Sequence, residues 1–181
     1  LMHELAQRGI ESLNGFEQIY RFDLRRRGTS LSPAKPPNCR INTTLKTIDE
    51  YEQARSKLQN IGLHPHPDPP KNWDHLTALA SLLDHTNQSC AILDAGGEKY
   101  SPLVEWLYLY GYRDLHVANL SFEEISYRGP IKYKEGDITD LDYSSERFDA
   151  ITSLSVIEPN VDVELFLKEC SRFLKPDGHL I

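Results

Sequence analysis

From Cys90 the chain reads Cys90-Ala91-Ile92-Leu93-Asp94-Ala95-Gly96-Gly97, a short apolar run closed by an acid and then by two glycines. A strand covered on both faces reads as a continuous apolar run, and a glycine turn after it lets a ligand approach the backbone closely. The spacing of Leu103, Leu107 and Tyr110 then predicts a helix over 101–110. Ser101 is its cap, Pro102 stands at its first position and Gly111 stops it. Further strands are predicted near 115–118, 131–134 and 148–153. The stripe Val163, Phe166, Leu167, Cys170, Phe173 and Leu174 marks a last helix capped by Asp162. Lys175-Pro176-Asp177-Gly178 ends that helix, and His179-Leu180-Ile181 begins a fifth strand.

Strands and helices therefore alternate, which predicts an α/β domain with a doubly wound, mostly parallel sheet of Rossmann-like, three-layer type. The 90–94 strand is expected at its centre, with 115–118 and 148–153 on either side. One connection is short. Ser121-Phe122-Glu123-Glu124 reads as a capping box, yet Gly129-Pro130 leaves room for only a turn or two of helix before Ile131.

The first 70 residues read as an N-terminal helical extension and linker, and 71–181 as the Rossmann-like domain, incomplete at the fifth strand. Leu5, Ile10, Leu13, Phe16 and Ile19 hint at an amphipathic helix. Arg25-Arg26-Arg27, Gly28, Pro33, Pro36 and Pro37 suggest a solvated linker. Thr47 and Glu50 predict a capping box on a helix near 48–60, with Gly62 just past its end. His64-Pro65-His66-Pro67-Asp68-Pro69-Pro70 favours an extended polyproline segment and is read as a linker, not a metal site. Asn72 is the expected cap of the next helix, whose Leu76, Leu79, Ala80 and Leu83 recur at helical spacing.

The motifs of the second half, in order, are Ile92-Leu93-Asp94-Ala95-Gly96-Gly97, Val117-Ala118-Asn119-Leu120-Ser121, Gly136-Asp137-Ile138-Thr139-Asp140-Leu141, Phe148-Asp149-Ala150-Ile151, Ser155-Val156-Ile157-Glu158 and Glu169-Cys170-Ser171-Arg172-Phe173-Leu174-Lys175-Pro176-Asp177-Gly178. Their order and spacing resemble the class I S-adenosylmethionine-dependent methyltransferases over Cys90–Ile181. The resemblance implies methyl transfer from S-adenosylmethionine to a small or conjugated metabolite. By it, Asp94, Ala95, Gly96 and Gly97 line the methionine side, and Tyr100 stacks on adenine or lines the methionine arm. Asn119 and Leu120 flank ribose and adenine, Asp137 and Ile138 meet the adenine edge, and Ser153, Leu154 and Ser155 close the pocket. Glu158 is the candidate catalytic base, with a helix-start or salt-bridge acid as the other reading.

The chain departs from that pattern in ways that bear on chemistry. Glu98 and Tyr100 stand where the family has further glycines, Pro159 replaces a histidine, and Asn119 replaces the acid that grips the ribose hydroxyls. A neutral hydrogen bond contributes about 0.5–1.5 kcal/mol against roughly 1.5–3 for a charged one, so Asn119→Asp is expected to strengthen a ribose contact by about 1 kcal/mol. These departures keep a catalytically silent binding or scaffold domain open as an alternative. Gly136-Asp137-Ile138-Thr139-Asp140 also occurs in nucleotide-sugar enzymes, a third reading. Against it, the G-x-x-G-x-x-G turn is absent, and Glu98 would repel a pyrophosphate, whereas a sulfonium cofactor tolerates an acidic loop.

Composition narrows the partners. A net charge of −7 disfavours a broad nucleic-acid surface, where affinity comes from cations on phosphates. With 39% hydrophobic residues, a mean hydropathy of −0.50 and no long apolar run, no membrane segment or signal peptide is expected, and a cytoplasmic location follows. Cys39, Cys90 and Cys170 lack metal-ligand spacing, so no metal is expected. The expected partner is a small-molecule substrate, with oligomeric state open.

Overall fold

The computed structural model describes residues 19, 22–28, 33–34, 36, 44–157 and 161–181. Leu5, Ile10, Leu13, Phe16, Glu158 and Pro159 lie outside the described residues. The chain divides into two compact units, one of residues 1–84 and 100–111, the other of 85–99 and 112–181.

The first unit is helical: α1 spans Ile48–Asn60, α2 Lys71–His85 and α3 Pro102–Leu109. The capping box on α1 forms as expected, Thr47 N donating to the Glu50 carboxylate at 3.2 Å, and Gly62 just past the helix adopts φ +83°. Residues 22–28 are helical rather than a linker. Leu24 is buried, Arg26 bonds Asp23 at 3.0 Å, and a Cβ on Gly28 would sit 2.2 Å from the Tyr108 ring.

Asn72 is not the α2 cap. It lies within the first turn, wholly buried, where its Oδ1 accepts from His66 N at 2.7 Å and its Nδ2 donates to the His66, Asp68 and Pro69 carbonyls. The histidine–proline segment is thereby folded onto the helix start, and the Trp106 indole donates to His64 O at 3.0 Å. His75 is buried, and burial pushes its imidazole down to about 3, so it stays neutral. Every residue of α3 is buried, not only one face, and burial raises the Tyr110 phenol after it to about 12.

The second unit carries the sheet. β1 spans Ala91–Ala95, β2 Asp114–Asn119, β3 Ser126–Arg128, β4 Ile131–Glu135, β5 Phe148–Thr152 and β6 Leu174–Leu180, with α4 over Val163–Phe173. The strand order is β3-β4-β2-β1-β5-β6. All pairings are parallel except β3 with β4, so β1 lies centrally between β2 and β5, as expected. This is an α/β fold of Rossmann-like strand order, whose reversal between β1 and β5 opens a crevice at the carboxyl ends of the strands. On one face Leu93, Ala95, Phe148 and Ile151 pack with Phe166, Cys170 and Phe173 of α4. Asp162 caps α4 as predicted, its Oδ1 accepting from Leu165 N at 3.1 Å.

The helix expected from Ser121 does not form. Ser126↔Tyr133 and Arg128↔Ile131 pair antiparallel instead, across a turn at Gly129-Pro130 where Gly129 has φ +58°. Phe122 is buried with its ring edge-on to Tyr133, so tertiary packing overrides the local capping signal. The last strand begins at Leu174, five residues before the expected His179, with an irregularity in its pairing to Phe148 and Ala150.

At the amino ends of the strands, charges are paired. Arg147 donates to both Asp114 carboxylate oxygens at 2.8 and 2.9 Å, and His116 Nε2 lies 2.9 Å from Asp114 Oδ1 and 3.3 Å from Arg147. The other His116 nitrogen lies 3.3 Å from the Tyr143 hydroxyl. Asp149 accepts from Ala91 N at 2.7 Å and from Lys175 at 2.8 Å.

Candidate functional site

At the carboxyl ends of β1, β2 and β4 lies a cavity of about 380 Å³. That is within the range of small-ligand sites, roughly 300–1,000 Å³. Gly96 follows β1, Asn119 and Leu120 end β2, and Gly136, Asp137, Ile138 and Thr139 follow β4. Val156, Val161 and Asp162, between β5 and α4, complete the lining. Five candidates from the sequence, Gly96, Asn119, Leu120, Asp137 and Ile138, thus converge on one cavity.

The turn after β1 needs its glycines. Gly96 has φ +85°, and a Cβ there would fall 2.4 Å from Val156 Cγ1. A Cβ on Gly97 would fall 2.1 Å from the Asp94 carboxylate. Asp94 itself is buried below the turn, accepting from Thr152 Oγ1 at 2.8 Å, and does not line the cavity. Nor does Gly97 or the buried strand residue Ala95. Ser153 and Leu154 are half-buried and stand outside the lining, Ser153 N donating to Ile181 O at 2.9 Å. The Ser153 hydroxyl is buried with no partner among the described residues. Tyr100 is buried and belongs to the first unit. The candidate base Glu158 lies outside the described residues.

Asn119 turns its amide to the protein. Nδ2 donates to Gly96 O at 2.8 Å and Gly97 O at 3.2 Å, and Oδ1 accepts from Ser121 N at 2.9 Å. Asp137 Oδ1 accepts from Thr139 N at 2.8 Å and Thr139 Oγ1 at 2.7 Å, bonds that hold its carboxyl below the usual range. With Asp162 it gives the cavity two carboxylates, and no described lining residue is cationic. Leu120, Ile138, Val156 and Val161 supply apolar wall. The cavity suits a ligand with a planar or apolar body and positive charge, and disfavours an anion.

Sequence reasoning missed Gly136, Thr139, Val156, Val161 and Asp162 as cavity residues. Thr139 was legible in principle, because an Asp followed two residues later by a Thr amide is a standard side-chain turn. Val156 and Asp162 come from a loop whose approach to β1 only tertiary structure shows.

Residues 101–181 match the family model described as a methyltransferase domain. No curated protein matches the chain. Among solved structures, it is similar to the YcgJ protein of Bacillus subtilis at 19% identity, covering 57% of this chain and 49% of that one, TM-score 0.47. A putative S-adenosylmethionine-dependent methyltransferase of Methanococcus maripaludis is similar at 14% identity, covering 75% and 64%, TM-score 0.49. A geranyl diphosphate C-methyltransferase of Streptomyces coelicolor, solved with Mg2+, geranyl diphosphate and S-adenosylhomocysteine, is similar at 16% identity, covering 88% and 62%, TM-score 0.47. The chain spans between 49% and 64% of the length of these three proteins. The stretch matched by the methyltransferase domain model, 101–181, carries β2 to β6.

Proposed function

We propose that the chain binds S-adenosylmethionine in the cavity at the carboxyl ends of β1, β2 and β4 and transfers its methyl group to a small or conjugated metabolite. The observation that carries this reading is the convergence of Gly96, Asn119, Leu120, Asp137 and Ile138 on one acidic, apolar-walled cavity in a chain with a methyltransferase domain match. The residues fit the ligand: Gly96 provides a turn no side chain could occupy, and the two carboxylates favour a cation.

When bound, the cofactor supplies an electrophilic methyl group on a positively charged sulfur. Leu120, Ile138, Val156 and Val161 would offer apolar contact to the adenosyl body, and the free oxygen of Asp137 is available to accept a hydrogen bond. In-line methyl transfer draws most of its acceleration from holding two reactants in line, so it needs no conspicuous catalytic triad.

One observation favours the alternative of a silent binding domain: the Asn119 amide is already committed to the protein. Calorimetric titration with S-adenosylmethionine, S-adenosylhomocysteine and a nicotinamide dinucleotide tests both readings. The two adenosyl compounds are expected to bind and the dinucleotide to fail. Dinucleotide binding alone overturns the proposal, and binding without methyl consumption across acceptor panels selects the silent domain.

A further inference from the structure

We propose that Asn119 is a positioning residue, which with Arg128 clamps the carbonyls of the turn after β1 and so holds the loop and not the ribose of the ligand. The ligand arm of this inference rests on the proposed cofactor reading; the clamp itself does not.

The geometry is closed on the protein side. Both acceptors of the Asn119 amide are consecutive loop carbonyls, Gly96 O and Gly97 O, and its own oxygen is taken by Ser121 N. Three neighbours therefore fix which end of the amide points where, because two carbonyls demand the nitrogen and a backbone N–H demands the oxygen. Arg128 donates from Nη1 to the carbonyl of Lys99, two residues after Gly97, with its guanidinium 5.2 Å from the Tyr133 ring centre and only 1% of the residue exposed. Gly96 N donates to Ala118 O at 2.7 Å. The turn from Gly96 to Lys99 is thus tied from β2 and from β3 by four hydrogen bonds. Gly96, the turn residue that faces the cavity, is held at φ +85° with Val156 behind it. A loop fixed before the ligand arrives loses less freedom on binding.

An amide is the side chain this place needs. An aspartate has no hydrogen to give, so it would set a carboxylate oxygen against two carbonyl oxygens. It would also join a field of acids: Asp94 lies under Gly97, Glu135 is the β4 partner of residue 119, and Asp137 stands on the cavity wall. The exchange of acid for amide at the end of β2 is then a change of task, from gripping a ligand to bracing a loop. Its consequence runs opposite to that of a ribose contact: restoring the acid weakens binding.

The test uses the full chain as wild type, Asn119→Asp and Asn119→Ala. S-adenosylmethionine and S-adenosylhomocysteine are titrated calorimetrically across pH, and amide hydrogen exchange of residues 96–99 is measured without ligand. Asn119→Asp is expected to bind at least about tenfold more weakly at about pH 8, the loss of one good hydrogen bond. Its affinity should recover towards about pH 5, where the protonated carboxyl can donate to Gly96 O. Asn119→Ala should bind more weakly with the pH profile of the wild type. Loop amides should exchange about tenfold faster in both variants. Equal or tighter binding by Asn119→Asp at about pH 8, or unchanged exchange in both variants, overturns the clamp. If the wild type binds neither compound while exchange still rises, the cofactor reading falls and the clamp stands. If Asn119→Asp fails to fold, Asn119→Ala decides by the same two measurements.

Discussion

The two ends of the parallel strands are built differently. At the amino ends, Arg147, Asp114, His116 and Tyr143 form one network in which each charge has an opposite partner, and Lys175 meets Asp149 in the same way. At the carboxyl ends, Asp137 and Asp162 face a cavity in which no described residue supplies a cation. Both ends terminate the same strands, so the contrast is not a matter of secondary structure. It comes from what the loops bring. The loop before β5 brings Arg147 and Tyr143 to close one end, whereas the turns after β1 and β4 bring glycines and an acid that leave the other open. One end pairs its own charges, and the other keeps two carboxylates on the wall of an open cavity.

The largest expected effect attacks the open end. Gly97→Ala drives a Cβ into the buried Asp94 carboxylate, which Thr152 holds in place, so neither side can give cheaply. A loss of about 1–3 kcal/mol in urea unfolding is expected, as for other overpacked sites. A variant of wild-type stability would mean that Asp94 can leave its place under the turn.

At the closed end, Arg147→Met removes the partner of Asp114 and His116. The pair is about one-third exposed, with side-chain exposures of 32% and 41%, so solvent screening keeps the expected loss to about 1 kcal/mol. Urea denaturation at low and high salt checks it, and the difference from wild type should shrink at high salt.

The same network sets a pH dependence. Burial pushes the His116 imidazole below its ordinary value, and the Asp114 bond recovers only part of that. For Asp114 burial acts upward, but the bonds from Arg147 and His116 outweigh it and leave its carboxyl below the usual range. In both cases the unfolded chain binds protons more readily than the folded one. Stability is therefore complete above about pH 6.5 and is lost on acidification, first through His116 and then through Asp114. Melting curves of His116→Gln should fall less steeply than wild type between about pH 7 and about pH 5. An identical slope would remove His116 from the account.

The smallest effect is expected from Asp137→Asn. The residue is exposed, so stability should stay within about 0.5 kcal/mol of wild type. Loss of its charge should weaken S-adenosylmethionine about two- to threefold and the uncharged thioether product less. Equal weakening of the two would show that Asp137 acts as a hydrogen-bond acceptor and not through its charge.

The sheet was legible in the sequence because β1, β2 and β5 are nearly or wholly buried along their length, and each carries an apolar core, Ala91-Ile92-Leu93 in β1 being the longest unbroken run. The strand order was legible from the alternation of helix and strand. Ser121 to Glu124 misled because a capping box is a local signal, while the pairing of β3 with β4 and the burial of Phe122 are not local. Within the site, sequence identified Asn119 as a position of interest but could not say which way its amide points. Asp162 read as a helix cap, which it is, but its second place on the cavity wall depends on a loop folding back across the strand ends. His116 and Tyr143 stand 27 residues apart, and nothing in either segment announces the other.

The three-residue strand β3 has a consequence for how the protein behaves when crowded. A sheet border is hazardous when it offers a long row of unpaired backbone groups on which another chain can be laid down. Here the border beside β4 is only Ser126, Tyr127 and Arg128, with Arg128 turned inwards and a proline two residues beyond it. That is too short to template a stable added strand. Material that clumps on prolonged heating should therefore not be seeded from this border, and peptides copying 126–135 should fail to speed its aggregation.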